Sequence, residues 1–466
     1  MISIIKNEKI LKLNNNWKFE NIVALIFMIF GAIGWKINYA AGAIPTILFS
    51  VILMAIYNDF KYGIPAILVL LFSIGTGFVI ESFPFDIVIP VAIFVIFVII
   101  FTIRNFKKEN FKYLKTCIGM MILSISFIIP IFWSHMVTSE NQVFYIMYFS
   151  WLLYLIFYVL LCLIINKNTF RMLVFSLTWL AFLLTFELLA SLLVLHSQYP
   201  DQNILSFTYY IGWGLCNEAG MILCVIMPFI FYELYKSNTP SLTALSLFKL
   251  FVLLIGIILT TSRGTYLFGG LELISLLIIM LIIKYDYKLL NLSTLVFAGS
   301  IGIVFVFAIT KGKFLQDISS NVFTLGFGSN GRFEMWELGF NAYKEAGHYF
   351  FGSGIVTEIR EKEVFNSLQN TFIVYHNTFI EAFISGGVMG LIGIIICIFE
   401  KYKLLIKKES PFKILLLMGY IFVDLYGLID NSYGMYYYMV PISMIIVVIL
   451  KSDNLEIYDK INNNLF

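Results

Sequence analysis

The sequence predicts an all-α, polytopic transmembrane helical bundle with one large extracytoplasmic loop. Hydrophobic residues make up 60% of the chain and charged residues only 13%, with a mean hydropathy of +0.90, so the solvent of most of this protein is lipid. Apolar runs follow one another at the ~20-residue length a helix needs to cross the bilayer core. One long polar excursion, from Lys311 to Asn377, interrupts them. Open strands are excluded, because lipid cannot satisfy their edges.

The runs begin near Asn21, Ala41, Tyr62, Phe85, Thr116, Val143, Met172, Gly212, Leu245, Thr265, Asn291, Thr378, Phe412 and Tyr433, which makes about fourteen helices. The lysine-rich start before Ile22 has the charge of a signal peptide, but its apolar run continues past Lys36 into another span, so the first helix is read as uncleaved. With the N-terminus in the cytoplasm, only Lys36, Arg263, Lys311, Lys313, Arg332, Lys344, Arg360 and Lys362 face outward, out of 31 basic residues. That is the bias the positive-inside rule demands. Both termini are then cytoplasmic and the long loop lies outside, with Arg104 to Lys115 and Lys401 to Lys413 as the inner anchors. A net charge of +3 gives no reason to expect a nucleic-acid partner. The five cysteines (Cys117, Cys162, Cys216, Cys224, Cys397) fall in apolar stretches without a CxxC, so they read as core residues rather than disulfides or a zinc site.

Chemistry on a water-soluble group belongs in the loop. It holds FGSNGRFEMWELGFNAYKEAGHYFFGSG (Phe327 to Gly354) and closes with YHNTFIEAF (Tyr375 to Phe383). Phe333, Trp336, Phe340 and Tyr343 recur at helical steps opposite Glu334, Glu337, Lys344 and Glu345, which predicts an amphipathic helix lying in the outer interface. Arg263 sits between two spans at headgroup depth, where it either snorkels to lipid phosphate or holds a diphosphate. Arg332 begins the aromatic helix. Arginine's fixed fork matches a diphosphate and keeps its proton, so two arginines can neutralise a leaving phosphate without a metal. Of four histidines, His376 is singled out by its place before a helix start, where Thr378 and Glu381 fit a capping box. A neutral imidazole there can take a proton from a sugar hydroxyl. His135, His196 and His348 have nothing beside them to make a site. No DxD pair occurs in the outer loops; Glu361 and Glu363, within EIREKE, read as a solvated face. The acidic residues within spans (Glu187, Glu218, Glu272, Asp424) form no evident relay.

From Gly212 to Gly390 the chain resembles the superfamily of O-antigen ligases and O-antigen or capsule polymerases. The likeness rests on CNEAG with Asn217, TTSRG with Arg263, GRFEMWELGFNAY with Arg332 and Trp336, FGSG with Gly352 and Gly354, and YHNTFIEAFISGG with His376, Asn377 and Gly386. The resemblance implies a C-type membrane glycosyltransferase fold and a metal-independent, inverting transfer without cofactor. A glycan would move from an undecaprenyl diphosphate-linked oligosaccharide donor to a glycan or lipid acceptor hydroxyl. It also implies that Arg263 and Arg332 hold the donor diphosphate, that His376 is the general base, and that Asn217, Trp336, Asn377 and Glu381 support them. The chain then divides into N-terminal transmembrane helices (1–210), a ligase/polymerase-like core (211–399, including the loop 311–377) and C-terminal helices with a short cytoplasmic tail (400–466). A composition rich in Ile, Lys, Asn and Phe points to a low-GC bacterium, and so to polymerisation of capsule or another surface polysaccharide rather than ligation to lipopolysaccharide. The competing class is a flippase or transporter of the same lipid-linked glycan. The single long loop and the lack of paired halves count against it.

The topology makes a direct prediction. Cysteines placed at Asn330 and Asn370 should react with a membrane-impermeant thiol reagent in intact cells, whereas cysteines at Lys107 and Lys407 should not; the opposite pattern would invert the bundle.

Overall fold

The computed structural model describes residues 16–74, 85–106, 108–133, 142–166, 168–199, 209–283, 332–355, 357–362, 367–372, 375–407 and 410–452. Within them the chain forms helices α1 (Trp17–Lys36), α2 (Tyr39–Tyr57), α3 (Gly63–Phe72), α4 (Phe85–Asn105), α5 (Ile118–Ile128), α6 (Gln142–Ile164), α7 (Thr169–Gln198), α8 (Cys216–Lys236), α9 (Pro240–Leu259) and α10 (Arg263–Ile283). Then come α11 (Arg332–Ala346), α12 (Thr378–Ile406), α13 (Pro411–Tyr426) and α14 (Tyr436–Lys451). Eight spans among the described residues are long and apolar enough to cross a membrane. The architecture is the polytopic helical bundle expected, and the span expected from Asn291 lies outside the described residues. All five cysteines are free, four of them buried.

Helix α8 is buried along nearly its whole length and packs against α7, α9, α10 and α13. Around this centre α1 lies on α7, and α12 runs along α5. A helix apolar on all sides belongs at the middle of such a bundle, because lipid already solvates the outward faces of its neighbours. Several buried charges are paired, although the fully buried Glu187 and Glu272 have no ion-pair partner among the described residues. Lys61 donates to Glu20 at 2.6 Å with Arg171 at 2.9 Å from the same carboxylate, and Lys249 meets Glu233 at 2.9 Å. Lys401 meets Asp424 at 2.6 Å, and Tyr402 donates to the same carboxylate at 2.7 Å. Lys401 was expected among the inner anchors; it is 2% exposed, and its burial is offset by the Asp424 carboxylate beside it. Lys413, in the same expected anchor, is also buried and donates to the carbonyls of Leu404 and Lys407, closing the C-terminal end of α12.

Two features of the loop region were not read from the sequence. A two-stranded antiparallel hairpin, β1 (Thr357–Lys362) and β2 (Ser367–Phe372), pairs Thr357 with Phe372 and Lys362 with Ser367. The helix from Thr378 is also broken at Gly387, whose φ of 65° and ψ of −160° only glycine adopts readily. There the ISGG segment clasps the FGSG turn backbone to backbone. Ser353 N donates to Ile384 O at 2.9 Å, Gly354 N to Ser385 O at 3.2 Å, and Val388 N to Tyr349 O at 3.2 Å. A Cβ on Gly387 would stand 2.5 Å from Gly352 N, and one on Gly352, itself at φ 82°, 2.5 Å from Gly387 N. These bonds fix the start of α12 against the loop.

Gly387→Ala should therefore lower stability by about 2 kcal/mol or more through strain and clash together. Gly270→Ala, on a helix where a Cβ meets nothing within 4 Å, should leave the melting temperature of the detergent-purified protein unchanged or slightly raised. Equal effects would show that the clasp carries no strain.

Candidate functional site

The turn between α13 and α14, Gly427 to Ser432, is where His376, Asn377 and Glu381 meet. It is zipped to the segment entering α12. Gly427 O accepts from Thr378 N at 2.9 Å, Leu428 O from Asn377 Nδ2 at 2.9 Å, and Asn431 Nδ2 donates to Glu381 at 3.2 Å. Ser432 N donates to Thr378 Oγ1 at 3.1 Å, and the two hydroxyls lie 3.1 Å apart. Between these bonds, Asp430 Oδ1 lies 3.1 Å from Nδ1 of His376 and also accepts from Asn431 N at 2.9 Å.

His376 has φ 48°, left-handed backbone that non-glycine residues rarely take, although histidine tolerates it better than most. Its neighbours hold it there. Trp336 Nε1 donates to Tyr375 O at 2.7 Å, fixing the preceding peptide. Asn377 is the helix cap, its Oδ1 accepting from the amides of Phe379 and Ile380 at 3.0 Å each. The His376 side chain is 32% exposed and Asp430 14%, so the imidazole reaches outward with the carboxylate behind it. With Nδ1 against a carboxylate, the proton of the neutral ring belongs on Nδ1, and Nε2 is left with a lone pair. Beside it, burial and then Glu381 push the Tyr375 hydroxyl far above its usual range, so it stays neutral.

The structure brings the sequence candidates to this turn unequally. Trp336, His376, Asn377 and Glu381 contact it or its partner segment directly. Asn217, in the first turn of α8, accepts from Tyr426 Oη through its backbone carbonyl at 3.4 Å. Arg263 heads α10 and is half-buried; the preceding Ser262 shares a hydrogen bond with Tyr426 at 3.2 Å and accepts from Thr265 N at 3.3 Å, while Gly264 lies against Tyr426 and Ile429. Arg332 is half-buried at the head of α11, one turn before Trp336.

Two local readings are corrected. The capping box expected of Thr378 and Glu381 does not form, because Asn377 caps the helix. Glu381 is instead a buried staple accepting from Tyr375 N, Asn431 Nδ2 and Ser385 Oγ. The aromatic stripe of α11 also does not spread over an interface: Tyr343 is buried, and Trp336 and Phe340 pack with it against Tyr375, Ile384 and Phe383, leaving Phe333 exposed. Packing against α12 buries these rings and satisfies the Trp336 indole in one step. Of the histidines set aside, His348 stacks on Trp133 at 4.0 Å and His196 is exposed near the end of α7, while His135 lies outside the described residues. Asp430 was missed. Its signal was an acidic turn residue, Asp430-Asn431-Ser432, closing an apolar run on the side of the loop. Among the described residues no three His, Cys, Asp or Glu side chains group as metal ligands.

Residues 248–395 match the family model described as O-Antigen ligase. That stretch is thus similar to the O-antigen ligase and polymerase superfamily. The family is one of membrane glycosyltransferases of the ligase and polymerase type. Its matched stretch takes in Arg263, Arg332, Trp336, His376, Asn377 and Glu381, and leaves Asn217 and Asp430 outside. A comparison with curated proteins finds no match.

Asn377→Ala removes two capping bonds and the donor to Leu428, and should cost about 2 kcal/mol of stability. Asn377→Asp keeps the caps and should recover roughly half of that, read as melting temperatures of the purified variants.

Proposed function

We propose that this ligase- and polymerase-type protein is a metal-independent, inverting glycosyltransferase of the bacterial cytoplasmic membrane. It moves a glycan from undecaprenyl diphosphate to an acceptor hydroxyl on the outer face, and polymerises surface-polysaccharide repeat units. The proposal keeps both termini in the cytoplasm, with the catalytic core at 211–399 between the N-terminal (1–210) and C-terminal (400–466) helices. The observation that carries it is His376, half-exposed on constrained backbone with its Nδ1 on Asp430. An imidazole so oriented offers Nε2 to an acceptor hydroxyl, and the carboxylate behind it favours the imidazolium that results.

In the proposed reaction Nε2 takes the acceptor proton as the hydroxyl oxygen attacks the anomeric carbon. The glycosidic C–O bond breaks on the opposite face, and its electron pair leaves on the diphosphate. Charge therefore grows on the diphosphate along the reaction, so cations already in place at Arg263 and Arg332 stabilise the transition state more than the ground state. Donor entry from the bilayer side explains why such a transferase is built among spans. Ligation of a finished glycan to a lipid or protein acceptor is the second reading, and the description of the matched family favours it; composition favours polymerisation.

His376→Ala should fold and still bind the lipid-linked donor, but join glycans ~10²–10⁴-fold more slowly. Arg263→Lys keeps the charge and loses the fork, and should weaken donor use, with Arg332→Lys similar or milder. Activity should survive EDTA. In cells, polymerase variants leave single repeat units, whereas ligase variants leave full-length chains on undecaprenyl diphosphate. Wild-type chains from well-folded His376→Ala protein would return the chain to the transporter class.

A further inference from the structure

The last residue of α13 touches both halves of the candidate site. Through its carbonyl, Tyr426 accepts from Ile429 N at 2.9 Å and from Asp430 N at 3.0 Å, which fixes the peptide that carries the Asp430 carboxylate. Its side chain reaches the other way. Tyr426 Oη donates to Asn217 O at 3.4 Å and shares a hydrogen bond with Ser262 Oγ at 3.2 Å. With the tyrosine proton on Asn217 O, the serine hydroxyl donates to Oη, and Ser262 Oγ keeps a lone pair for Thr265 N at 3.3 Å. The ring is seated against Gly264, where a Cβ would collide with Tyr426 and stand 2.8 Å from Ile429 Cδ1. Arg263 lies between Ser262 and Gly264. Both of its neighbours are therefore held by one tyrosine, and the same tyrosine holds Asp430.

We propose that Tyr426 is a positioning residue that sets the span between Arg263 and the pair His376 and Asp430, acting through its hydroxyl. Its purpose rests on the transferase reading, but the strut itself does not. In an inverting transfer the base and the leaving group stand on opposite faces of the anomeric carbon, so neither corrects the placement of the other and the protein alone fixes their separation. A tyrosine that merely fills space at a helix end needs only its ring. Here the hydroxyl binds the residue before Arg263 and donates to the first turn of α8, so α8, α13 and the start of α10 meet at one oxygen.

Tyr426→Phe keeps the ring against Gly264 and the carbonyl for Asp430 N and removes only the hydroxyl bonds, so it should fold with a slightly lower melting temperature. Tyr39→Phe removes one side-chain bond, to Leu70 O at 2.7 Å, between α2 and α3, and measures what such a loss does to stability alone. In glycan joining, Tyr426→Phe should lower kcat about tenfold or more with little change in KM for the lipid-linked donor, whereas Tyr39→Phe should leave kcat as it is. In an Arg263→Lys background Tyr426→Phe should cost little further, because a strut matters only to the fork it places. Hydrogen exchange read by mass spectrometry follows the strut without activity: in Tyr426→Phe, peptides covering 262–266 and 427–432 should both exchange faster than in wild-type protein or in Tyr39→Phe. An unchanged kcat, a kcat that follows melting temperature across the two variants, an equal loss in the Arg263→Lys background, or faster exchange in fewer than both segments would each overturn the proposal. If both segments loosen while the wild-type protein joins no glycans, the strut stands and the transferase reading falls.

Discussion

The hydrogen bonds between the Gly427–Ser432 turn and the Tyr375–Glu381 segment are the constraint on which the candidate site depends. Two carbonyls of the turn, Gly427 and Leu428, accept from Thr378 and Asn377, and Ser432 returns a bond to Thr378. Each such bond is worth only about 1 kcal/mol net, but a buried group left without its partner costs more, so the set forms or fails together. Because these bonds bracket His376, they decide which way the imidazole faces. The left-handed backbone at that residue is held by Trp336 on one side and by the Asn377 cap on the other.

The break at Gly387 serves the same end. A continuous helix from Thr378 to Ile406 would leave the Tyr349–Gly354 turn without the carbonyls and amides it now bonds. By turning at Gly387 the chain presents Ile384 and Ser385 to Ser353 and Gly354, and α11 packs its aromatic rings against the same short helical segment. The loop is thereby tied to the bundle at two places, with Arg332 at one end of α11 and His376 beside the other contact. Elsewhere, buried Lys401, Lys249 and Lys61 are each neutralised by one carboxylate on a neighbouring helix. They hold helices in register, and none adjoins His376.

Much of this was legible in the sequence because hydropathy is local. The boundaries at Arg263 and Thr378 and the order of spans follow from runs of apolar residues, and the Asn377, His376 and Trp336 signals sit within about forty residues of one another. What was not legible is set by distant contacts. Asp430 meets His376 across a separation in sequence of 54 residues, and its acidic turn does not say which residue it faces. Lys401 reads as one of a cluster of inner charges until Asp424 is seen beside it. The glycine pair Gly386-Gly387 reads as tolerated helix until the FGSG backbone is placed against it, and the EIREKE segment reads as a solvated face although its backbone from Glu358 to Lys362 pairs as a strand. Asn377 displaced Thr378 as the cap because its amide reaches two helix amides and a carbonyl of the turn at once.

The most direct test of the central claim, that His376 and Asp430 act as one unit in proton transfer, is a double-mutant cycle on the rate of glycan joining by folded, donor-binding protein. Asp430→Asn should slow wild-type protein by a large factor and cost nothing further in the His376→Ala background. An equal loss in both backgrounds would show that Asp430 acts independently of His376, and would contradict the account.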